Sequence, residues 1–380
     1  MKRVGCIGVV LALLLLLVPS RAQAALEVPG KSALLMDVAT GTVLYEKNAH
    51  EPLPPASVTK VMTLLLIMEA IDDGRLQWSD LVTASETAAG KGGSQIFLKV
   101  GEQMTVADMV KSIAVSSAND CACAMAEHLC GSEAAFVEKM NARAAELGMK
   151  DTHFVNCTGL DDDADATQHK TSAYDIAVMS RQLLKYHPKI TEYTTIWMDT
   201  VRSGTFGLSN TNKLVRFYNG ATGLKTGFTQ GAGYCLSASA MREDMELIAV
   251  VMGCESSQQR FAACKAMLDY GFANYALITP EIGEELSVQV QLGVHDRIRS
   301  IPVEMEKILV EKSQKNLVRI QTELEPAVTA PVSKGQRLGT MTIFAGEQVL
   351  SQIPLVAEET VEKLSWGQMF LRVLQSVCLG

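Results

Sequence analysis

The chain has 380 residues, with 34 lysines and arginines against 42 aspartates and glutamates, and a net charge of −8. An acid surplus of this size argues against a nucleic-acid partner, which needs a basic face. Hydrophobic residues at 48% and charged residues at 20% exclude a disordered chain, and the length points to two domains.

The N-terminus reads Met1-Lys2-Arg3, then an apolar run from Val9 to Val18, then the small-x-small site Ala22-Gln23-Ala24. That is the pattern of a secretory signal peptide over residues 1–24; the run is short for ~30 Å of hydrocarbon, which leaves a retained membrane helix as the weaker alternative. Cleavage would remove three basic groups and no acid, moving the net charge from −8 to −11. Eight of nine cysteines would remain, and Cys121, Cys123 and Cys130 sit in the apolar stretch CACAMAEHLC. Cysteine there acts as a small hydrophobe, so free buried thiols are expected even in an exported chain. Neither a CxxC pair nor an HExxH arrangement occurs, so no metal or cofactor is expected. Asp161, Asp163 and Asp165 have the spacing of a calcium loop, but Ala166 replaces its glycine and Ser172 its closing glutamate.

Downstream, Ser32–Met36 and Val43–Glu46 predict a hairpin about Thr40-Gly41. Prolines 52, 54 and 55 precede a helix from Ser57 that is apolar nearly all round, as in the middle of a domain. Helices are predicted over Val106–Ser116, Ala118–Leu129, Glu133–Leu147 and Thr171–Tyr186, and strands near Tyr234–Met241 and Leu247–Met252. Strands at both ends of this stretch imply an α+β domain whose sheet edges come from its two termini, with a helical cluster between. After Thr279-Pro280 the pattern becomes short alternating runs, at Val288–Leu292, Leu317–Ile320 and Met341–Phe344, the mark of a small all-β module. The predicted domains are 25–278, 279–355 and an amphipathic helix over 356–380 with Trp366, Met369, Phe370, Val373, Leu374 and Val377 on one face. That face fits a membrane interface, the alternative being a terminal helix docked on the β-module.

Three short motifs occur in order: Ser57-Val58-Thr59-Lys60, Ser117-Ala118-Asn119 and Lys225-Thr226-Gly227. A residue three places along a helix shares its face, so Lys60 can set its amine beside the Ser57 hydroxyl. Serine needs a base to become a nucleophile, and lysine acts as one only if burial or a second cation lowers its pKa from ~10.4. Ser117 and Asn119 fall in a turn between helices, where a hydroxyl can relay a proton and an amide can bind a substrate carbonyl. Lys225 and Thr226 offer charge and hydroxyl to a carboxylate, and Gly227 permits close approach of an extended peptide to the strand edge. The backbone amides of Ser57 and Phe228 suit a developing oxyanion. Each motif alone also has a plain reading, as helix cap, turn or glycine hinge.

Taken together, the set resembles the low-molecular-mass penicillin-binding proteins that act as serine-type D-alanyl-D-alanine carboxypeptidases. The resemblance runs from about Ala25 to the C-terminus through PASVTK, SSAND, FVNCTGL, KTGFT, the β-module and the amphipathic tail. It implies a penicillin-binding-protein fold with peptidoglycan stem peptides as substrates, β-lactams as inhibitors, no cofactor, and a place on the outer face of the cytoplasmic membrane. It further implies Ser57 as acyl nucleophile, Lys60 as general base, Ser117 and Asn119 as the proton path, and Lys225, Thr226, Gly227, Phe228 and Arg260 as substrate-binding residues. Ala118, and Phe228 where some relatives carry histidine, depart from the pattern. A D,D-endopeptidase, a β-lactamase and a non-catalytic peptidoglycan-binding protein are the alternatives.

Overall fold

The computed structural model describes residues 26–161, 165–283 and 285–379, so the signal-peptide segment and Asp163 lie outside the described residues. Five antiparallel strands form the central sheet: β1 (Ser32–Asp37), β2 (Val43–Lys47), β3 (Ala221–Thr229), β4 (Gly233–Arg242) and β5 (Met245–Cys254), in the order β2-β1-β5-β4-β3. The chain's early hairpin therefore supplies one edge through β2 and the later strands the other through β3. The two sets meet where β1 pairs with β5, from Ser32↔Met252 to Asp37↔Leu247.

One face of the sheet carries the helical cluster. It comprises α1 (Lys60–Asp72), α2 (Val106–Ser116), α3 (Asn119–Cys130), α4 (Glu133–Glu146) and α5 (Ala173–Tyr186). α1 runs through the middle with ten of its thirteen residues buried, which is why its sequence shows no polar face. Helix starts are set by side-chain caps: Thr105, Ser132 and Ser172 accept from the backbone N–H three residues on, satisfying donors that the first turn leaves open. The opposite face is covered by α6 (Ser257–Asn274), capped by Ser256. That helix is absent from the sequence reading: its buried residues recur at helical spacing from Arg260 to Phe272, but Phe261, Ala262, Ala266 and Tyr270 on the other faces blur the stripe.

Beyond Ile278 lies a six-stranded sheet. Its strands are β6 (Ser287–Gln291), β7 (Arg297–Pro302), β8 (Val318–Leu324), β9 (Ala327–Thr329), β10 (Arg337–Ala345) and β11 (Gln348–Ala357), in the order β8-β10-β11-β7-β6-β9. The short strand Tyr275–Ile278 pairs with Ile308–Glu311 and ties the two units together. The final helix, α7, spans Trp366–Leu379 rather than starting at residue 356. Val361 is fully buried and bridges to Val332, and Lys363 bridges to Gly293, so residues 358–364 extend the β-module. The acids at 358, 359 and 362 mimic a helix start, but burial of Val361 decides the conformation.

Cys121, Cys123, Cys157, Cys235, Cys254 and Cys264 are buried unpaired thiols, and Cys130 is a partly buried one. Among the described residues no helix is long and apolar enough to cross a membrane.

Candidate active site

The prolines before Ser57 lead into one turn of 3-10 helix, Ala56–Thr59, which feeds directly into α1. Ala56 is held at a φ of 48°, a left-handed conformation that costs a residue with a Cβ about 1 kcal/mol or more. Two contacts hold this turn. Thr59 Oγ1 lies 2.8 Å from His169 Nε2 and donates to the Ala56 carbonyl, and Gly159 passes so close that a Cβ there would stand 1.9 Å from the same oxygen. Ser57 is thereby left partly exposed at the top of a buried helix.

One turn on, the Lys60 side chain is fully buried, with Nζ 3.0 Å from Ser57 Oγ and donating to the Thr158 carbonyl at 2.8 Å. Among the described residues no carboxylate pairs with it. Burial pushes its pKa down to about 7, against a weaker opposing pull from Cys157 and Asp120. Lys225, on edge strand β3, is also buried. Burial, then the nearby charges of Lys60 and Arg260, push its amine well below the ordinary lysine value.

Ser117 ends α2 in a left-handed conformation at a φ of 64°, and Asn119 is the first residue of α3 rather than a turn residue. Asn119 is clamped by a glycine loop: its Nδ2 donates to Gly92 O at 2.7 Å and its backbone N–H to Ser94 O at 2.7 Å. Its Oδ1 is buried and without a hydrogen-bond donor among the described residues, an acceptor poised for an incoming N–H. Asp120 beside it accepts from the backbone N–H groups of Ile96, Leu98 and Cys121, fixing the rest of that loop.

Gly227 also has a reason within the chain itself. A Cβ there would lie 2.6 Å from Pro55 O and 3.1 Å from the backbone nitrogens of Ser57 and Val58. The glycine lets β3 pack against the nucleophile's own turn, so the close approach is made within the chain. Thr226 Oγ1 donates to Thr211 Oγ1 at 2.7 Å, and Lys225 Nζ donates to Thr226 O. Arg260, on α6, reaches back across the sheet: Nη1 donates to Gly227 O at 2.9 Å while Nε is buried without an acceptor among the described residues. Phe228 is half exposed and stacks at 4.3 Å on Tyr234, its cross-strand neighbour.

The structure thus brings the first and third motifs together around one buried pair of amines, with Ser117 and Asn119 at the junction of α2 and α3. Sequence reasoning missed the parts supplied by backbone: the carbonyls of Thr158, Gly92 and Ser94. It also missed His169, Asp120 and Thr211. FVNCTGL was the one signal that pointed toward the first of these, through Gly159 and Thr158.

Comparison with known proteins agrees with this geometry. Residues 19–256 match the peptidase S11 family model, described as D-alanyl-D-alanine carboxypeptidase, and residues 281–363 match the C-terminal domain of penicillin-binding protein 5. The chain is 44% identical over 350 residues to the D-alanyl-D-alanine carboxypeptidase DacF of Bacillus subtilis, covering 90% of this chain and 89% of that one. It is 34% identical over 371 residues to DacC of Escherichia coli, covering 94% and 90% respectively. The structure superposes on penicillin-binding protein 5 of Haemophilus influenzae with a TM-score of 0.77 at 30% identity, over 89% of this chain and 98% of that one. A buried lysine beside a serine, the Lys225-Thr226-Gly227 strand packed against that serine's turn, and similarity over nine-tenths of the chain place it in the S11 family of serine-type D-alanyl-D-alanine carboxypeptidases.

Proposed function

We propose that in this D-alanyl-D-alanine carboxypeptidase Ser57 is acylated by the penultimate D-alanine of a peptidoglycan stem peptide, with Lys60 as the base. The observation that carries the reading is an amine fully buried 3.0 Å from a partly exposed hydroxyl, with no carboxylate pair among the described residues. With a pKa of about 7 a large share of Lys60 is neutral at physiological pH, so its lone pair can take the Ser57 proton as Oγ attacks. The bond from Oγ to the carbonyl carbon forms while the oxyanion is met by the backbone N–H groups of Ser57 and Phe228. Lys60 then returns the proton, by way of Ser117, to the leaving amine of the terminal D-alanine. A water molecule, deprotonated the same way, hydrolyses the ester and frees Ser57.

The free carboxylate of the terminal residue would sit with Lys225, Thr226 and Arg260. An empty site holds two buried amines whose charges oppose each other. An arriving carboxylate stabilises the charge on Lys225, and the cation so fixed favours the neutral form of Lys60. Substrate binding thereby readies the base. Asn119 Oδ1 would accept from a substrate amide N–H.

Incubating the mature protein with a fluorescent penicillin and locating the adduct by mass spectrometry tests this reading. A single adduct on Ser57 and release of D-alanine from a pentapeptide are the expected results. Cleavage of cross-linked dimers without D-alanine release, fast turnover of a chromogenic cephalosporin, or stem-peptide binding without turnover would each replace the carboxypeptidase assignment.

Export by the N-terminal segment, and retention on the outer face of the cytoplasmic membrane by α7, complete the proposal. Trp366, Phe370, Leu371, Val373 and Val377 are all more than half exposed, an apolar load that solvent does not favour. Because residues 358–364 belong to the β-module, the informative truncation follows Ser365. Release of that variant from membranes is expected; unchanged retention would reject an anchoring role.

A further inference from the structure

Two loops bring backbone carbonyls to the catalytic side chains. The Gly90–Ser94 loop holds Asn119 through Gly92 O, and the Asn156–Leu160 loop holds Lys60 through Thr158 O. The two loops are far apart in sequence, with Gly92 and Thr158 separated by 66 positions, yet both end on the same carboxylate. Glu133, the first residue of α4, receives Lys91 Nζ on Oε2 at 2.6 Å. Its other oxygen, Oε1, accepts from the Cys157 backbone N–H and from the Cys157 thiol, both at 3.2 Å. Thr63, one turn after Lys60 on α1, donates to the Cys157 carbonyl at 2.7 Å and closes the second connection against the catalytic helix.

We infer that Glu133 is a positioning residue for acylation: one carboxylate fixes both loops and so sets the Thr158 carbonyl on Lys60 and the Gly92 carbonyl on Asn119 at once. It touches neither substrate nor Ser57 and acts only through these two loops. The inference rests on the Ser57–Lys60 reading above.

Three features favour this over a simple surface ion pair. Both partners are largely buried, with side-chain exposures of 19% for Lys91 and 17% for Glu133, where an ion pair is screened less than at the surface. Burial opposes ionisation of Glu133, but the hydrogen bonds from Lys91 and Cys157 outweigh it and hold the carboxyl below the ordinary glutamate value. The local helix start does not need it, because Ser132 already caps α4 through Ala135 N–H. Displacement of a catalytic group by about 1 Å can lower a rate on the order of a hundredfold, so a carboxylate well away from the chemistry can control it.

The test is the acylation of the full mature protein by a fluorescent penicillin, resolved into the pre-covalent dissociation constant and the first-order acylation constant. Three variants are compared, Glu133→Ala, Glu133→Gln and Lys91→Met, with concentrations set by active-site titration. Glu133→Ala is expected to lower the acylation constant about tenfold or more with the dissociation constant within about twofold. Glu133→Gln keeps an acceptor for the Cys157 N–H and should recover part of the loss; Lys91→Met frees one loop only and should fall between. The double variant Glu133→Ala/Lys91→Met should be no worse than Glu133→Ala alone, since both remove the same bridge. Acylation constants within twofold of wild type in Glu133→Gln and Lys91→Met, or losses in the dissociation constant alone, would overturn the role even if Glu133→Ala fails to fold. If wild type forms no adduct on Ser57, the underlying base assignment fails instead, which separates the two results.

Discussion

The peptidase unit buries Lys60, Lys225, Asn119 and Asp120 to 2% exposure or less, whereas the β-module buries one polar side chain, Ser300, and no charged one among its described residues. Its two small cores are purely aliphatic, built on Val288, Val332, Leu338 and Val361 on one side and Met341, Ile343 and Leu355 on the other. An unpaired amine in a low-dielectric interior destabilises the folded state, and two close together do so more. The contrast shows that buried charge in this chain is confined to the peptidase unit, where Lys60 and Lys225 carry it at the site and Asp37 and Asp175 carry it elsewhere with hydrogen bonds from Thr40, Thr152 and the Asp151 N–H. The β-module follows the ordinary rule that charge stays in water.

The comparison can be broken most severely at the nucleophile. Ser57→Ala should abolish the covalent adduct with a fluorescent penicillin while leaving the fold intact; a retained adduct would move the chemistry elsewhere. Lys60→Met should lower acylation by roughly 10³-fold, the middle of the range for removal of a positioned base, measured as the second-order constant with the same reagent. For wild type that constant should rise with pH and level off above about 7, because the protonated amine cannot accept the serine proton.

The same group gives stability a defined direction. The folded-state pKa of Lys60 lies below its unfolded value of ~10.4, so between about pH 7 and that value the unfolded chain binds the extra proton. Its contribution therefore favours the native state increasingly as pH rises through that window, and is least favourable below about 7. Melting curves of wild type and Lys60→Met should converge as pH is raised from 7 to 10; curves that diverge would contradict the burial argument.

A core substitution in the β-module should do the reverse of these. Leu338→Ala, at a fully buried site, should destabilise that module by about 2–5 kcal/mol and leave Ser57 acylation within about twofold. Loss of acylation in step with its unfolding would show that the module supports the site directly. The smallest effect is expected from Thr226→Val, which removes a hydroxyl but keeps the volume. About a tenfold loss is expected for peptides with a free terminal carboxylate and a smaller one for the amidated peptide; equal losses on both would take Thr226 out of carboxylate recognition.

Much of the site was legible because side chains at helical spacing, such as Ser57 and Lys60, declare which groups meet, and because Thr105, Ser132 and Ser172 mark helix starts. What was not legible has a common cause. The carbonyls of Thr158, Gly92 and Ser94 belong to any residue type, and their placement depends on contacts tens of residues away. Gly227 was recognised as a close-approach glycine but assigned to a substrate, since nothing local says that Pro55 and Ser57 lie against it. The start of α7 was misplaced for the opposite reason: local acids resembled a helix N-terminus, and the burial of Val361 against Val332 was a long-range fact.

The most direct measurement is an NMR titration of the Lys60 amine through its isotopically labelled side chain, alongside the acylation profile of the same sample. An amine that loses its proton near pH 7, with acylation rising at the same midpoint, is the expected result. A Lys60 still fully protonated at pH 9 while Ser57 acylates at an undiminished rate would contradict it.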